Sequence, residues 1–127
     1  MSSINILSDM KSTLLELVKD LKENIFKNND EQGDLMLVEF FFKRMPEEMV
    51  MQHIIKQVIP HKIKIKNRNI NFFLENKCLF TGLPDDRVDH YRNIIVYSGR
   101  LNNEDLKIIW EYFDTIIALA ELYRKHK

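Results

Sequence analysis

The sequence predicts an all-α protein, a compact bundle of five to six helices with the long C-terminal helix at its centre. Apolar residues recur at steps of three and four residues near both ends of the chain, as they do on the buried face of a helix. The 127 residues include only three Gly and three Pro, so few positions interrupt helices. We also find no pair of alternating stretches that could form two matching strands.

The clearest helical pattern covers residues 102–123 and includes the only Trp of the chain. Asn102 can cap the first turn, and Glu104 and Asp105 place negative charge where the helix dipole favours it. Basic residues follow the last turn, where positive charge is favoured. The predicted apolar face consists of Leu106, Ile109, Trp110, Phe113, Ile116, Ile117, Ala120 and Tyr123.

A second amphipathic pattern predicts the first helix, which begins at Ser3 or Ser8 and ends near Lys27. Its apolar stripe consists of Leu7, Met10, Leu14, Leu17, Val18, Leu21 and Ile25. The polar stretch 28–33, which contains Gly33, predicts a turn after this helix. We find no repeat, no low-complexity segment and no internal boundary, so residues 1–127 are predicted to form a single helical domain.

Two further helices are predicted between residues 34 and 60. The first of them carries Phe40, Phe41 and Phe42, which cannot share one helical face and therefore need cover on several sides or a partner. Pro46 suits a first helical position and predicts the start of the second. The apolar stripe predicted for that second helix consists of Met49, Ile54, Ile55 and Val58.

The second half of the chain begins with an ambiguous stretch, residues 61–66, in which Lys and Ile alternate from residue 62 onward as in an exposed strand. We predict helix there, because the chain offers no comparable strand to pair with it. Another short helical segment is predicted around Phe73. A last helix before the C-terminal one is predicted to begin at Pro84 and to bury Val88, Tyr91, Ile94 and Ile95.

Charge and cysteine content limit the functional classes. Lys plus Arg equals Asp plus Glu at 19 each, so no overall field attracts the chain to nucleic acid or to an acidic membrane. Cys78 is the only Cys, which excludes an intrachain disulfide and favours a reducing, intracellular compartment. The N-terminal residues lack the features of a secretion signal, and no apolar run reaches membrane-spanning length. We therefore predict no membrane association.

No catalytic motif is found: the chain has no Gly-rich phosphate loop, no zinc-ligand spacing and no Ser-centred nucleophile motif. Asp86 and His90, with Asp85 and Asp89 beside them, could meet one divalent ion from a single helical face. Acids at a helix start explain the same pattern, so no metal site is predicted. Cys78 with a His could act as a thiol nucleophile, but nothing local activates it. We predict a protein that is not an enzyme and needs no cofactor.

The leading functional prediction is protein–protein interaction, either self-association as a homodimer or larger homo-oligomer or docking on another protein. The chain carries more large apolar side chains than a small bundle readily covers. Methionines beside the Phe run could provide an adaptable binding groove. The candidate partner-binding residues are Phe40, Phe41, Phe42, Met45 and Met49.

The alternative prediction is a nucleic-acid-binding accessory protein that uses the basic run at residues 56–68. Clustered cations attract backbone phosphates, and exposed rings of Phe72 and Phe73 could stack on single-stranded bases. The net charge of zero gives this alternative no support, so it ranks second. The candidate phosphate-binding residues are Lys62, Lys64, Lys66 and Arg68.

The order of residues in the second half also resembles a known group of proteins. The residues that carry the resemblance are Pro60-His61-Lys62, Ile63, Ile65, Arg68-Asn69, Phe72-Phe73-Leu74-Glu75-Asn76, Leu79-Phe80, Leu101, Glu104 and Ile109-Trp110-Glu111-Tyr112-Phe113. This order is similar to that of short helical proteins from large cytoplasmic DNA viruses of amoebae, of the mimivirus and marseillevirus kind. Glu111 stands where those proteins have Lys, and the N-terminal half of the chain does not share the resemblance. The resemblance implies a virion-associated or virus-factory accessory or scaffolding protein in the host-cell cytoplasm or the virion, and it implies no catalytic residue.

Overall fold

The computed structural model describes residues 3–126 of the chain, without the side chains of Ser3 and Cys78. The described residues form helices and connecting turns and contain no strand. The predicted all-α fold with a long C-terminal helix is therefore confirmed. None of the helices in this range combines the length and apolar character needed to cross a membrane.

The α-helices are short in the middle of the chain and long at its ends. Of residues 61–66, for which helix was predicted over strand, residues 62–66 form α4 and His61 ends the 3₁₀ turn before it. In chain order the α-helices are α1 (Ser3–Asp20), α2 (Asn29–Arg44), α3 (Glu47–Gln57), α4 (Lys62–Lys66), α5 (Asn71–Glu75), α6 (Asp85–Val96) and α7 (Asn103–His126). A π-helical turn at Leu21–Ile25 extends α1, and 3₁₀ turns lie at Ile59–His61 and Cys78–Phe80.

The two terminal helices form the centre of the bundle. Helix α7 packs most extensively against α1 and also contacts α3 and α4, while α1 contacts α2 and α3 as well. The predicted cap of α7 is present, because the Asp105 amide donates to Asn102 Oδ1 at 2.8 Å and the Asn102 amide donates to Asp105 Oδ2 at 3.2 Å. The buried face of α7 consists of Ile109, Trp110, Phe113, Ile116, Ala120 and Tyr123.

Aromatic side chains join the short α5 to α7. The ring of Phe113 lies edge-on to Phe72, with their centroids 5.2 Å apart, and 6.0 Å from Phe73. Phe73 in turn lies 5.0 Å from Trp110. Because edge-to-face pairs add to the stabilisation from apolar burial, this cluster holds α5 in place although α5 is only five residues long.

Two local predictions in the N-terminal half are wrong. The turn predicted at residues 28–33 lies earlier, at residues 26–28, since α2 begins at Asn29 and includes Gly33. Asn28 instead occupies the N-cap position of α2, and its amide donates to Glu31 Oε1 at 3.4 Å. Met49 does not belong to the buried stripe of α3, which is made by Val50, Met51, Ile54 and the following Val58. A helix turns about 100° per residue, so Met49 cannot share a face with Ile54.

The aromatic cluster generates a prediction about stability. We expect Phe113→Ala to lower the free energy of unfolding by about 3–5 kcal/mol, because it removes a fully buried ring and leaves a cavity between α5 and α7. Chemical denaturation followed by circular dichroism measures this change. The matched control is Ile4→Ala at an exposed position of α1, which should change stability by less than about 0.5 kcal/mol. Equal effects of the two substitutions would contradict the assigned packing.

Candidate protein-binding groove

Helix α2 has apolar side chains on two opposite faces. Leu35, Val38 and Phe42 are buried in the core of the bundle. On the opposite face Met36 and Leu37 are 60% and 59% exposed, and Phe40 is 57% exposed. A surface helix of a small bundle normally carries polar residues on its outer face, so the exposed face of α2 is unusual.

A groove lies beside this exposed face, between the C-terminal half of α2, the start of α3 and the loop before α6. Its volume is about 530 Å³, and its lining is mainly apolar. Arg44 is the only charged residue in the lining among residues 3–126, and its guanidinium lies 5.2 Å from the centroid of the Phe40 ring. The groove is lined by Leu37, Phe40, Phe41, Arg44, Met45, Pro46, Met49 and Gly82.

The wall of the groove depends on a close approach between the loop and α2. Gly82 has a φ of +99°, in the left-handed region that favours glycine. A Cβ atom at Gly82 would lie 3.4 Å from the ring of Phe41. Phe41 itself packs edge-on against Phe42, with ring centroids 5.6 Å apart. The loop, Phe41 and the core are therefore in continuous contact, which supports one side of the groove.

Four of the five predicted partner-binding residues line this groove: Phe40, Phe41, Met45 and Met49. The fifth, Phe42, was wrongly placed on the surface. It has no exposed area, and its ring lies 6.0 Å from that of the half-buried His53. The rotation of 100° per residue carries Phe42 to the core face of α2 while leaving Phe40 outside.

Sequence reasoning missed several residues of the groove and its neighbourhood. Leu37 lies three and four residues before Phe40 and Phe41, so helical spacing could have identified it. Pro46 was interpreted only as a helix start. Gly82 lies about 40 residues away along the chain and reaches the groove only through the tertiary fold, so no local pattern indicates it.

Buried and half-buried charges fix the orientation of α2. Glu31 has no exposed surface, and both of its oxygens accept hydrogen bonds of 2.6 Å from Arg100. His90 Nε2 lies 3.1 Å from Glu31 Oε2. Burial alone would raise the pKa of Glu31, but the hydrogen bonds from Arg100 and His90 outweigh it and lower the pKa below its ordinary value of 4.5. Glu31 is therefore held as a carboxylate.

A second set of contacts holds the same half of α2 against α6. Asp34 Oδ2 accepts hydrogen bonds of 2.8 Å from Arg87 Nε and from the hydroxyl of Tyr91. Arg87 also donates to Asp30 at 3.0 Å. Burial and the neighbouring carboxylate of Asp34 raise the pKa of Tyr91. Together with Glu31, these contacts attach one face of α2 to the bundle and leave the opposite face open.

Of the residues considered for metal binding, Asp85, Asp89 and His90 contact other side chains in the structure. Asp85 pairs with Lys77 at 3.7 Å, and Asp89 pairs with Arg92 at 3.1 Å. His90 points to Glu31 instead of joining the acids of its own helix. In residues 3–126 no group of three or more His, Cys, Asp or Glu side chains is arranged to hold a metal ion. The side chain of Cys78 lies outside the described residues, so the thiol hypothesis stays a prediction.

The basic run is largely paired with acids. Lys62 lies 3.2 Å from Glu121, and Lys64 pairs with Glu75. Arg68 holds Asp114 through two hydrogen bonds, of 2.8 and 2.7 Å, and the resulting attraction lowers the pKa of Asp114. Lys66 borders a shallow groove of about 350 Å³ that also contains Asp114 and Glu121.

The aromatic part of the nucleic-acid alternative also lacks accessible surface. Phe72 and Phe73 are both buried against α7, so their rings are not free to stack on bases. The carboxylates beside the basic run offset the positive charge that phosphates would require. The alternative therefore has less support from the geometry than the apolar groove has.

In comparisons with known proteins, no family model, no curated protein and no solved structure matches the chain. The resemblance to viral proteins stays a prediction that these comparisons do not test.

The Glu31 contacts generate a prediction about pH. We expect Glu31→Gln to lower the free energy of unfolding near pH 7 by about 2 kcal/mol, because Arg100 loses its charged partner. The pKa of Glu31 is lower in the folded chain, so its stabilisation is complete above pH 4.5 and is lost as pH falls through the folded-state pKa. The difference between wild type and variant should therefore shrink below pH 4.5.

Denaturation curves measured between pH 3 and 8 would provide this comparison. Glu48→Gln is the matched control, because Glu48 is exposed and has no ion pair within residues 3–126. The control should follow wild type within about 0.5 kcal/mol throughout. A difference between wild type and Glu31→Gln that does not depend on pH would show that Glu31 stabilises the fold without being ionised.

Proposed function

We propose that the protein is a non-enzymatic interaction protein that binds an apolar protein surface through the exposed face of α2 and the adjoining groove. One observation carries the proposal: Met36, Leu37 and Phe40 are each more than half exposed on a helix whose opposite face is already buried. Contiguous apolar surface of this kind on a small protein usually marks a binding site.

The size of the apolar surface supports the proposal. Full burial of a Leu, Met or Phe side chain contributes about 1.5–3 kcal/mol relative to exposure. Met36, Leu37, Phe40 and Met49 are each near 60% exposed, so an occupant that covered all four would gain on the order of 5 kcal/mol before the costs of association. Because association itself costs about 4–15 kcal/mol, this burial offsets the lower end of that cost, and polar contacts at the rim would have to supply the net affinity.

The shape and composition of the surface favour a helical occupant. The exposed face follows one helix of 16 residues, about 24 Å long. Apolar residues of one helix fit such a face at steps of three and four residues. Met36, Met45 and Met49 have flexible side chains that adapt to the shape of a partner.

The biological setting of this interaction follows only from the sequence resemblance. On that basis we propose an accessory or scaffolding role in the virion or the virus factory, in host-cell cytoplasm. The resemblance covers about residues 60–123, whereas the binding surface lies mainly on α2 and the start of α3. The surface and the setting are therefore independent proposals, and either can fail without the other.

The binding proposal predicts that one substitution removes binding. We expect Phe40→Asp to abolish binding of amphipathic helical peptides selected from a phage-displayed library against the wild-type protein, because a carboxylate would be buried in an apolar contact. The loss should exceed about tenfold in the dissociation constant. Fluorescence anisotropy with labelled peptides measures the change.

Ile63→Asp provides the matched control, since Ile63 is a similarly exposed apolar residue on α4, away from the groove. Its peptide affinity should equal that of wild type. Circular dichroism should show unchanged helix content in both variants. If no peptide is selected, or if both variants bind as wild type does, the exposed face of α2 is not a protein-binding surface.

A further inference from the structure

We infer that the occupant of the open face of α2 is a second copy of this chain, with the two α2 helices antiparallel about a two-fold axis between Met36 and Leu37. This inference rests on the proposed function, because it names the partner for the same surface. Two features of α2 support it: the distribution of charge along the open face and the position of Gly33.

Charge along the open face of α2 changes sign from one end to the other. Asp30 lies at the N-terminal end and is 58% exposed, although its Oδ2 accepts a hydrogen bond from Arg87. Lys43 and Arg44 lie at the C-terminal end, are exposed, and form no ion pair with any carboxylate of residues 3–126. The apolar side chains of Met36, Leu37 and Phe40 occupy the length between the two ends.

This distribution is complementary to itself in one orientation only. An antiparallel copy brings Asp30 of each chain to Lys43 and Arg44 of the other, and this happens twice because of the two-fold symmetry. A parallel copy would place cations against cations and Asp30 against Asp30. Like charges opposed across an interface are unfavourable, so the antiparallel orientation is selected. Antiparallel helix dipoles are favourable as well.

Gly33 gives an independent argument for close approach of another helix. Glycine weakens the interior of a helix, and here its backbone is ordinary right-handed helix, so no special φ requires it. A Cβ atom at Gly33 would meet nothing within 4 Å, so packing within the chain does not require glycine either. Gly33 lies on the open face, one helical turn before Met36 and Leu37.

The proposed two-fold axis explains why a glycine occupies position 33. An axis between Met36 and Leu37 places Gly33 of one chain opposite Phe40 of the other. The missing side chain then leaves space for the exposed Phe40 ring, and small residues allow two helices to approach closely. The same arrangement directs the second copy along the groove beside Leu37 and Phe41.

A charge-exchange experiment tests the arrangement in solution. Sedimentation equilibrium of the wild-type chain should show a concentration-dependent shift from the chain mass of 15.3 kDa to twice that mass. Asp30→Lys, and separately the double variant Lys43→Glu with Arg44→Glu, should each weaken the dimer by at least about tenfold, because each opposes like charges. Mixing the two variants should restore the dimer, because both contacts of the heterodimer then join opposite charges.

Gly33→Gln tests the close approach of the two α2 helices. We expect this substitution to stabilise the monomer and to weaken the dimer. A glutamine favours helix over glycine, and its Cβ atom would meet nothing within 4 Å, so the monomer should melt at a higher temperature than wild type. The added side chain should nevertheless weaken the dimer by at least about tenfold, because it fills the space for Phe40. Circular dichroism at low concentration and sedimentation at high concentration provide the two measurements.

The outcomes separate this inference from the proposed function. A wild-type chain that stays at 15.3 kDa at every concentration overturns the inference. The inference is also overturned if the wild-type chain dimerises and the charge substitutions and Gly33→Gln leave the dimer as strong as wild type. The interface would then lie elsewhere on the chain. In either case, Phe40-dependent peptide binding would show that the groove still serves another protein partner. Loss of that binding as well would remove the proposed function.

Discussion

The buried ion pair between Glu31 and Arg100 determines how α2 lies on the bundle. A carboxylate without exposed surface is costly unless charged hydrogen-bond donors surround it. Arg100 donates to both of its oxygens at 2.6 Å, and His90 lies 3.1 Å from one of them. Because rotation of α2 about its axis would break these contacts, the helix has one stable orientation. The contacts of Asp34 with Arg87 and Tyr91 reinforce it.

The orientation of α2 determines which of its apolar side chains face solvent. With Glu31 and Phe42 turned inward, Phe40 and Leu37 must face solvent. Turning Phe40 into the core would expose Phe42 and separate Glu31 from Arg100, so the fold cannot cover both apolar faces of α2. A protein partner can cover the face that carries Phe40. The stabilising charges on one side of α2 thus explain why an apolar surface persists on the other.

Helical periodicity predicted the parts of the fold that depend on local spacing. Helices α1 and α7, each with one apolar stripe, were identifiable because their residues repeat at three and four. The start of α2 could not be identified from spacing, because Gly33 suggested a turn. Arg100, which pairs with Glu31 in the first turn of α2, lies 69 residues further along the chain. Three consecutive Phe residues likewise show that cover is needed without showing which ring is inside. That choice depends on tertiary contacts that no local pattern contains.

The most direct measurement follows the methionine methyl groups by NMR as the protein concentration rises. Met36, Met45 and Met49 lie on the open face of α2 or in the groove, whereas Met10 and Met51 are buried in the core. If the open face binds a second copy, the methyl signals of Met36, Met45 and Met49 shift with concentration and those of Met10 and Met51 stay unchanged. Signals of all five that remain constant up to millimolar concentration would contradict self-association through this surface.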